Sequence, residues 1–187
     1  MGSTEFDARA GADSRWSTIW TGAGDVIPVV HGGADDHAAA AETILRRDRS
    51  GLRPRRVRVS KFASWGWSRV TAIRDLRLVL LARGGLKRLG VSRCQLITGG
   101  SATYPVTRRW AELHAAALPQ VDGLLWGSRQ ASGRDALLLF GACQSRPGGV
   151  ARTDLRGEGP HVPLASPPGR DRLFEIGAAL EVTIVAP

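Results

Sequence analysis

The 187-residue sequence predicts an α+β fold, a single domain built on a mixed β-sheet with flanking helices. Three observations predict it. Short apolar runs bounded by Gly, Pro, Ser and Asp recur along the chain, as strands do. Only three or four segments carry helical spacing, too few for the strict alternation of a doubly wound sheet. Hydrophobic residues make up 43% of the chain, enough for a sizeable single core. No internal repeat is visible. Phe6 is the only large apolar residue between Met1 and Trp16, so residues 1–14 are expected to be a poorly ordered N-terminal segment and 15–187 the domain.

Val26 to His31 is β-branched and apolar, a strand in which Pro28 marks an edge or an irregularity, and Gly32 and Gly33 are expected to end it. Asp35 or Asp36 can cap a helix over Ala38 to Arg47, with Arg46 and Arg47 at its negative end. Ala38, Ala41 and Leu45 form its apolar stripe, and Glu42 borders that stripe, the usual place of a solvated flank. Val57 to Ser60 reads as a strand, Ala63 to Ser68 as a loop whose tryptophans cap the core, and Leu76 to Leu80 as a further strand. Gly84 to Gly90 is a short helical turn closed by Gly90.

The stretch from Tyr104 to Phe140 reads as helix, strand, polar corner, strand. Pro105 suits a first helical turn, and Val106, Trp110, Leu113 and Ala117 recur at the spacing of one buried face. Gly123 to Trp126 and Ala136 to Phe140 are the two strands, with Ser128 and Arg129 at the C-terminal edge of the first, overlooking a cleft. Gln144 to Gly169, rich in Pro, Gly and Arg, reads as irregular, Arg172 to Leu180 as a helix and Val182 to Val185 as a last strand.

Charge and cysteine usage narrow the class. A net charge of +9 and a pI near 11.2 would ordinarily point to nucleic acid. Here only Lys61 and Lys87 are lysine, every other basic residue is arginine, and the arginines are spread along the chain, as in a GC-rich genome. An anionic small molecule or an acidic partner fits such a surface equally well. Cys94 and Cys143 are too few and too far apart for a disulfide framework or a zinc site, and fit a reducing cytoplasm. No apolar run approaches the roughly 20 residues that cross a bilayer, and no secretion signal stands at the N-terminus.

Several familiar chemistries lack their residues. Gly22-Ala-Gly24 and Gly32-Gly33 have neither the third glycine nor the lysine of a phosphate loop. His31 and His37, six apart, do not share a helix face as zinc ligands would. Gly127-Ser128-Arg129 approaches a nucleophile elbow but lacks its second glycine.

Five motifs in order, Ser14-Arg15-Trp16-Ser17, Ile27-Pro-Val-Val-His31-Gly, Ala39-Ala-Ala-Glu42-Thr, Tyr104-x-x-Thr107-Arg-Arg-Trp-Ala and Asp122-Gly-Leu-Leu-Trp-Gly-Ser128-Arg, resemble the RES-domain family, named for its Arg, Glu and Ser. Arg74-Asp-Leu-Arg-Leu-Val before Leu86-x-x-Leu-Gly90 matches as well, so the likeness covers roughly Arg15 to the C-terminus. The family comprises toxins of bacterial toxin–antitoxin pairs that degrade NAD⁺, with a fold related to ADP-ribosyltransferases and an Xre-type antitoxin that blocks the active site. The resemblance therefore implies NAD⁺ as substrate, inorganic phosphate as co-substrate, no metal or resident cofactor, no membrane, and contact with nucleic acid only through the antitoxin. ADP-ribose transfer to a protein and a catalytically impaired antitoxin-binding module are the alternatives.

Position by position, Arg15 looks like the family's cleft arginine in its pair with Trp16, and Glu42 like its helix-borne glutamate. Thr107 and Ser128 both fall at hydroxyl positions around the cleft, either of which answers to the named serine, and Tyr104 opens the helix that carries Thr107. His31 stands where the family usually has Tyr, and only 14 residues precede Arg15 where the family has an arginine-bearing strand. The residue types fit the chemistry. Breaking the nicotinamide–ribose bond passes through an oxocarbenium-like state that a carboxylate stabilises, and a guanidinium can grip phosphate oxygens bidentately.

Overall fold

The computed structural model describes residues 15–16, 19–45 and 56–185. The segment 1–14 and the arginines 46 and 47 lie outside the described residues. In chain order come β1 (Ile19–Trp20), β2 (Val26–Ile27), β3 (Val29–Gly33), α1 (Asp36–Glu42), β4 (Arg56–Arg58), β5 (Gly66–Ala72), β6 (Leu78–Leu80) and α2 (Arg83–Arg88). A π-helical turn (Cys94–Thr98) leads to α3 (Tyr104–Ala117), β7 (Gly123–Gly127), β8 (Asp135–Phe140), β9 (Leu155–Pro163), α4 (Pro167–Ala179) and β10 (Thr183–Val185).

The central sheet has the order β3-β8-β7-β6, with the first two pairings antiparallel and β7–β6 parallel, the mixed sheet the sequence predicts. Both of its faces are covered, which is why β8 reads as the unbroken run Ala-Leu-Leu-Leu-Phe instead of alternating. Ala136, Leu138 and Phe140 join Leu124, Trp126, Trp16 and α3 in one core, while Leu137 and Leu139 pack with Val70, Ala72 and Leu155 in another. A third cluster sets Ala40, Ile44 and Leu45 against Leu173 and Ile176 of α4 and the parallel pair β4–β10.

Pro28 divides its strand as expected: β2 pairs with β1, whereas β3 crosses to the central sheet beside β8. Gly32 and Gly33 do not end that strand but lie in register with Leu137 and Ala136. Gly33 has a packing reason, because a Cβ there would lie 2.4 Å from the Ala39 nitrogen, so only glycine lets α1 settle against the sheet.

Two more expectations are overturned. The end of the stretch 63–68 and the middle of the excursion Gln144–Gly169 lie in a long antiparallel pair, β5 with β9. A register shift between Trp67 and Arg69 breaks the period of two in β5, and the solvent-facing Gly157, Gly159 and Pro160 hide the strand character of β9. Trp65 does not cap a core; it is exposed. On α3 the buried residues are Thr107, Ala111 and Ala115, while Val106 and Leu113 are about half exposed. Small side chains let the helix approach the sheet closely, and the Thr107 hydroxyl is satisfied by a backbone carbonyl.

Asp122 anchors the start of β7. Its carboxylate accepts from Arg74 Nη1 at 3.0 Å and Nη2 at 2.7 Å and from the Arg77 N–H at 2.8 Å. Burial pushes this carboxyl up, but the Arg74 guanidinium and the Arg77 N–H outweigh it and hold it below the ordinary carboxylate range. A depressed folded value contributes stability above the unfolded value near 4 and loses it as pH falls through the folded one. Asp122→Asn is therefore expected to cost about 2 kcal/mol at neutral pH and progressively less below about pH 4. Denaturant midpoints at pH 7 and pH 3 check this; an equal loss at both would overturn the assignment.

Candidate active site

Arg15 is drawn inside by its neighbour. Trp16 is 2% exposed, and its ring lies 5.6 Å from that of Trp126 on β7, so the core fixes the backbone of both residues. Arg15 is 8% exposed; its guanidinium donates through Nη1 to the Leu96 carbonyl at 2.9 Å and through Nη2 to the Gly99 carbonyl at 2.5 Å, and stacks 5.1 Å above the Tyr104 ring. It thus pins the π-helical turn, a backbone form often met at functional sites. Thr107 Oγ1 donates to the Arg15 carbonyl at 2.7 Å, with the Tyr104 carbonyl at 2.9 Å as its second acceptor.

Glu42 arrives from the other side. Asp35 caps α1 by accepting from the Ala38 N–H at 2.8 Å and also binds Arg134 in the β7–β8 turn. The Arg134 carbonyl in turn accepts the Ser128 N–H at 2.7 Å, so one arginine registers the helix bearing Glu42 against the corner bearing Ser128. Arg172 of α4 holds Asp36 through Nε at 2.7 Å. For both aspartates burial works upward, but the hydrogen bonds and the arginines outweigh it and hold the carboxyls below their usual range. These contacts keep α1 in place although a glutamate at its C-terminal end opposes the helix dipole.

Ser128 Oγ donates to Glu42 Oε1 at 2.6 Å while accepting from the N–H groups of Gln130 at 3.1 Å and Ala131 at 3.0 Å. Ser128 is 4% exposed, and because its oxygen accepts from two N–H groups its proton points to the carboxylate. Arg129, the next residue, donates to the Thr98 carbonyl at 2.6 Å, adjacent in the chain to the Gly99 carbonyl that Arg15 holds. Arg93 donates to the Gly127 carbonyl at 2.8 Å. The π-helical turn and the end of β7 are thereby laced together by two guanidinium groups, while Arg15, from the N-terminal end of the chain, holds the same turn.

The structure therefore brings Glu42 and Ser128 into direct contact and joins Arg15, Tyr104 and Thr107 into a second group, linked to the first through Trp16–Trp126 and the Thr98–Gly99 carbonyls. Of the two hydroxyls, Ser128 meets the carboxylate, and Thr107 is spent on backbone. His31 lies exposed on β3, opposite Leu138, on the sheet face that carries Trp126. Sequence reading noted Arg129 without a role and did not single out Arg93 or the π-helical turn, since nothing in a single arginine's neighbours says which carbonyl it will meet.

Thr107→Val separates a structural from a substrate-binding hydroxyl. It leaves the Arg15 carbonyl buried without its donor, and should cost about 1–3 kcal/mol in a denaturant melt while leaving substrate affinity near parental. A raised Michaelis constant without a loss of stability would reverse that reading.

Two other features lie apart from this site. A cavity of about 410 Å³ sits toward the far end of α3, walled by Thr21, Glu112, Pro119, Ser145 and Arg146, and none of the residues above lines it. Asp35, Asp36 and His37 bring three potential metal ligands within 4.8 Å of one another, but Arg134, Arg172 and the Asp36–His37 contact already engage them.

The protein is thus a mixed α/β domain in which a strand-end serine holds a helix-borne glutamate and a buried arginine clamps the neighbouring π-helical turn. The model of the RES domain matches residues 2–164, most of the chain, and the protein belongs to that family. No curated protein and no solved structure matches it. No helix among the described residues is long and apolar enough to cross a membrane.

Proposed function

We propose that this protein degrades NAD⁺ by cleaving its nicotinamide–ribose bond, with inorganic phosphate as the attacking group, as the toxin of a bacterial toxin–antitoxin pair acting in the cytoplasm and restrained by an Xre-type antitoxin. The observation that carries this reading is the 2.6 Å hydrogen bond from Ser128 to Glu42, within a corner otherwise rich in guanidinium groups. When the C1′–N bond breaks, its electron pair leaves with nicotinamide, which becomes neutral and needs no proton. The positive charge passes to C1′ and the ring oxygen of the ribose. A fixed carboxylate beside that position stabilises it, and Ser128 holds Glu42 in one orientation so that little reorganisation is needed. A phosphate oxygen then forms the new bond to C1′, giving ADP-ribose 1″-phosphate. His31 offers a ring face to the nicotinamide side, and Arg15, stacked on Tyr104, supplies fixed positive charge for the anionic side.

Incubating the purified protein with NAD⁺, with and without phosphate, tests the reading. Nicotinamide and ADP-ribose 1″-phosphate formed only with phosphate support phosphorolysis. ADP-ribose formed without phosphate means hydrolysis, and protein-linked ADP-ribose means transfer. No loss of NAD⁺ would sink the enzymatic reading and favour an inactive antitoxin-binding module, toward which His31 in place of the family's aromatic already leans.

A further inference from the structure

Arg15 spends its two terminal nitrogens on the Leu96 and Gly99 carbonyls and is 8% exposed, so it is poorly placed to be the sole grip on a dianionic group. Two exposed arginines stand at the same corner. Arg129 follows Ser128 directly and gives one N–H to the Thr98 carbonyl, and Arg93 gives one to the Gly127 carbonyl. Neither makes an ion pair among the described residues; Asp135, opposite Gly127 in the ladder, engages neither. A planar guanidinium has five donors, so each keeps most of its fork for an oxyanion, with its orientation already fixed by one bond. The end of β7 thus gathers a carboxylate, bonded to Ser128, and two exposed guanidinium groups that make no ion pair among the described residues. NAD⁺ has the matching polarity, a cationic nicotinamide and a pyrophosphate one ribose apart.

We propose that Arg93 and Arg129 form the phosphate wall of this site and take the pyrophosphate of the dinucleotide, leaving Arg15 to hold the π-helical turn and add background charge. The inference rests on the NAD⁺ reading above and names the residues that orient the substrate within it. With the pyrophosphate on the arginines, one ribose separates it from the labile C1′, which the proposal sets against Glu42.

Titration calorimetry with ADP-ribose, inorganic pyrophosphate and adenosine tests this on the parental protein, on Arg93→Gln/Arg129→Gln, and on Arg129→Lys. The double variant is expected to bind ADP-ribose and pyrophosphate about 100-fold more weakly, about tenfold per arginine, with a shallower salt dependence. Adenosine binding should be unchanged. Arg129→Lys should fall between, because it keeps the charge and loses the fork. It also stands in if the double variant does not fold. Unchanged ADP-ribose affinity, or an equal loss for adenosine, would overturn the proposal, the latter by showing that the arginines act only through the fold. If the parental protein binds pyrophosphate but not ADP-ribose, and the variants lose it, the wall stands and the NAD⁺ reading falls. Binding of neither overturns both.

Discussion

Glu42→Gln is expected to lower the rate of NAD⁺ loss by about 10²–10³-fold while leaving the fold intact. Gln keeps the length and shape of the side chain, and its amide oxygen can still accept from Ser128 Oγ at the distance now seen, 2.6 Å. What disappears is the negative charge that, in the proposed reaction, faces the developing oxocarbenium. The loss should therefore appear in kcat with little change in the Michaelis constant, because the ground-state contacts survive. Nicotinamide release under saturating NAD⁺, with a melting curve as the control for folding, measures it. Near-parental turnover in a folded variant would remove Glu42 from the chemistry, and the Ser128 contact would then be no more than a helix anchor.

Arg15→Lys should be the second large effect, and it should appear first in stability. One ammonium cannot span the Leu96 and Gly99 carbonyls as the two terminal nitrogens do, nor stack flat over Tyr104. Losing one charge-assisted hydrogen bond at a site 8% exposed costs about 1.5–3 kcal/mol. The freed carbonyl loosens the π-helical turn, from which Arg129 also hangs through Thr98, so the affinity for NAD⁺ should fall as well. Paired measurements of melting temperature and Michaelis constant decide the matter. If neither changes, Arg15 is not the internal clamp described above; if only the Michaelis constant rises, it touches substrate directly.

The two effects differ in kind because the two residues are held differently. Glu42 is half-buried at the end of a seven-residue helix whose position depends on Asp35, Asp36 and the small stripe of Ala38, Ala40 and Ala41. Arg15 is anchored by Trp16 in the largest core. Substitutions that disturb Asp35 or Arg134 should therefore move Glu42 and Ser128 together, since one arginine ties both.

The sequence by itself determined the class of fold, the break at Pro28, the cap of α1, the helix from Tyr104 and the β7–β8 pair, because each depends on local chemistry: a missing N–H, a side-chain acceptor at a helix start, a fixed φ at a first turn, a run of apolar residues too long for a turn. Five motifs in order along the chain, from Ser14–Ser17 to Asp122–Arg129, carried the likeness to the RES family. Tertiary structure alone decided the rest. Which face of α3 is buried was not legible, because Val106, Trp110, Leu113 and Ala117 give the stronger hydrophobic pattern while the sheet selects the smaller stripe through Thr107, Ala111 and Ala115, which allows closer approach. The pairing of β5 with β9 was hidden because its stability lies in a ladder between segments some 90 residues apart, interrupted by a bulge in β5, and because β9 is exposed along most of its length, so its ladder hydrogen bonds leave no apolar periodicity. The choice between Thr107 and Ser128 was undecidable for the same reason: a hydroxyl's partner is set by which backbone or carboxylate the fold brings within 3 Å, and the fold brings Glu42 to Ser128.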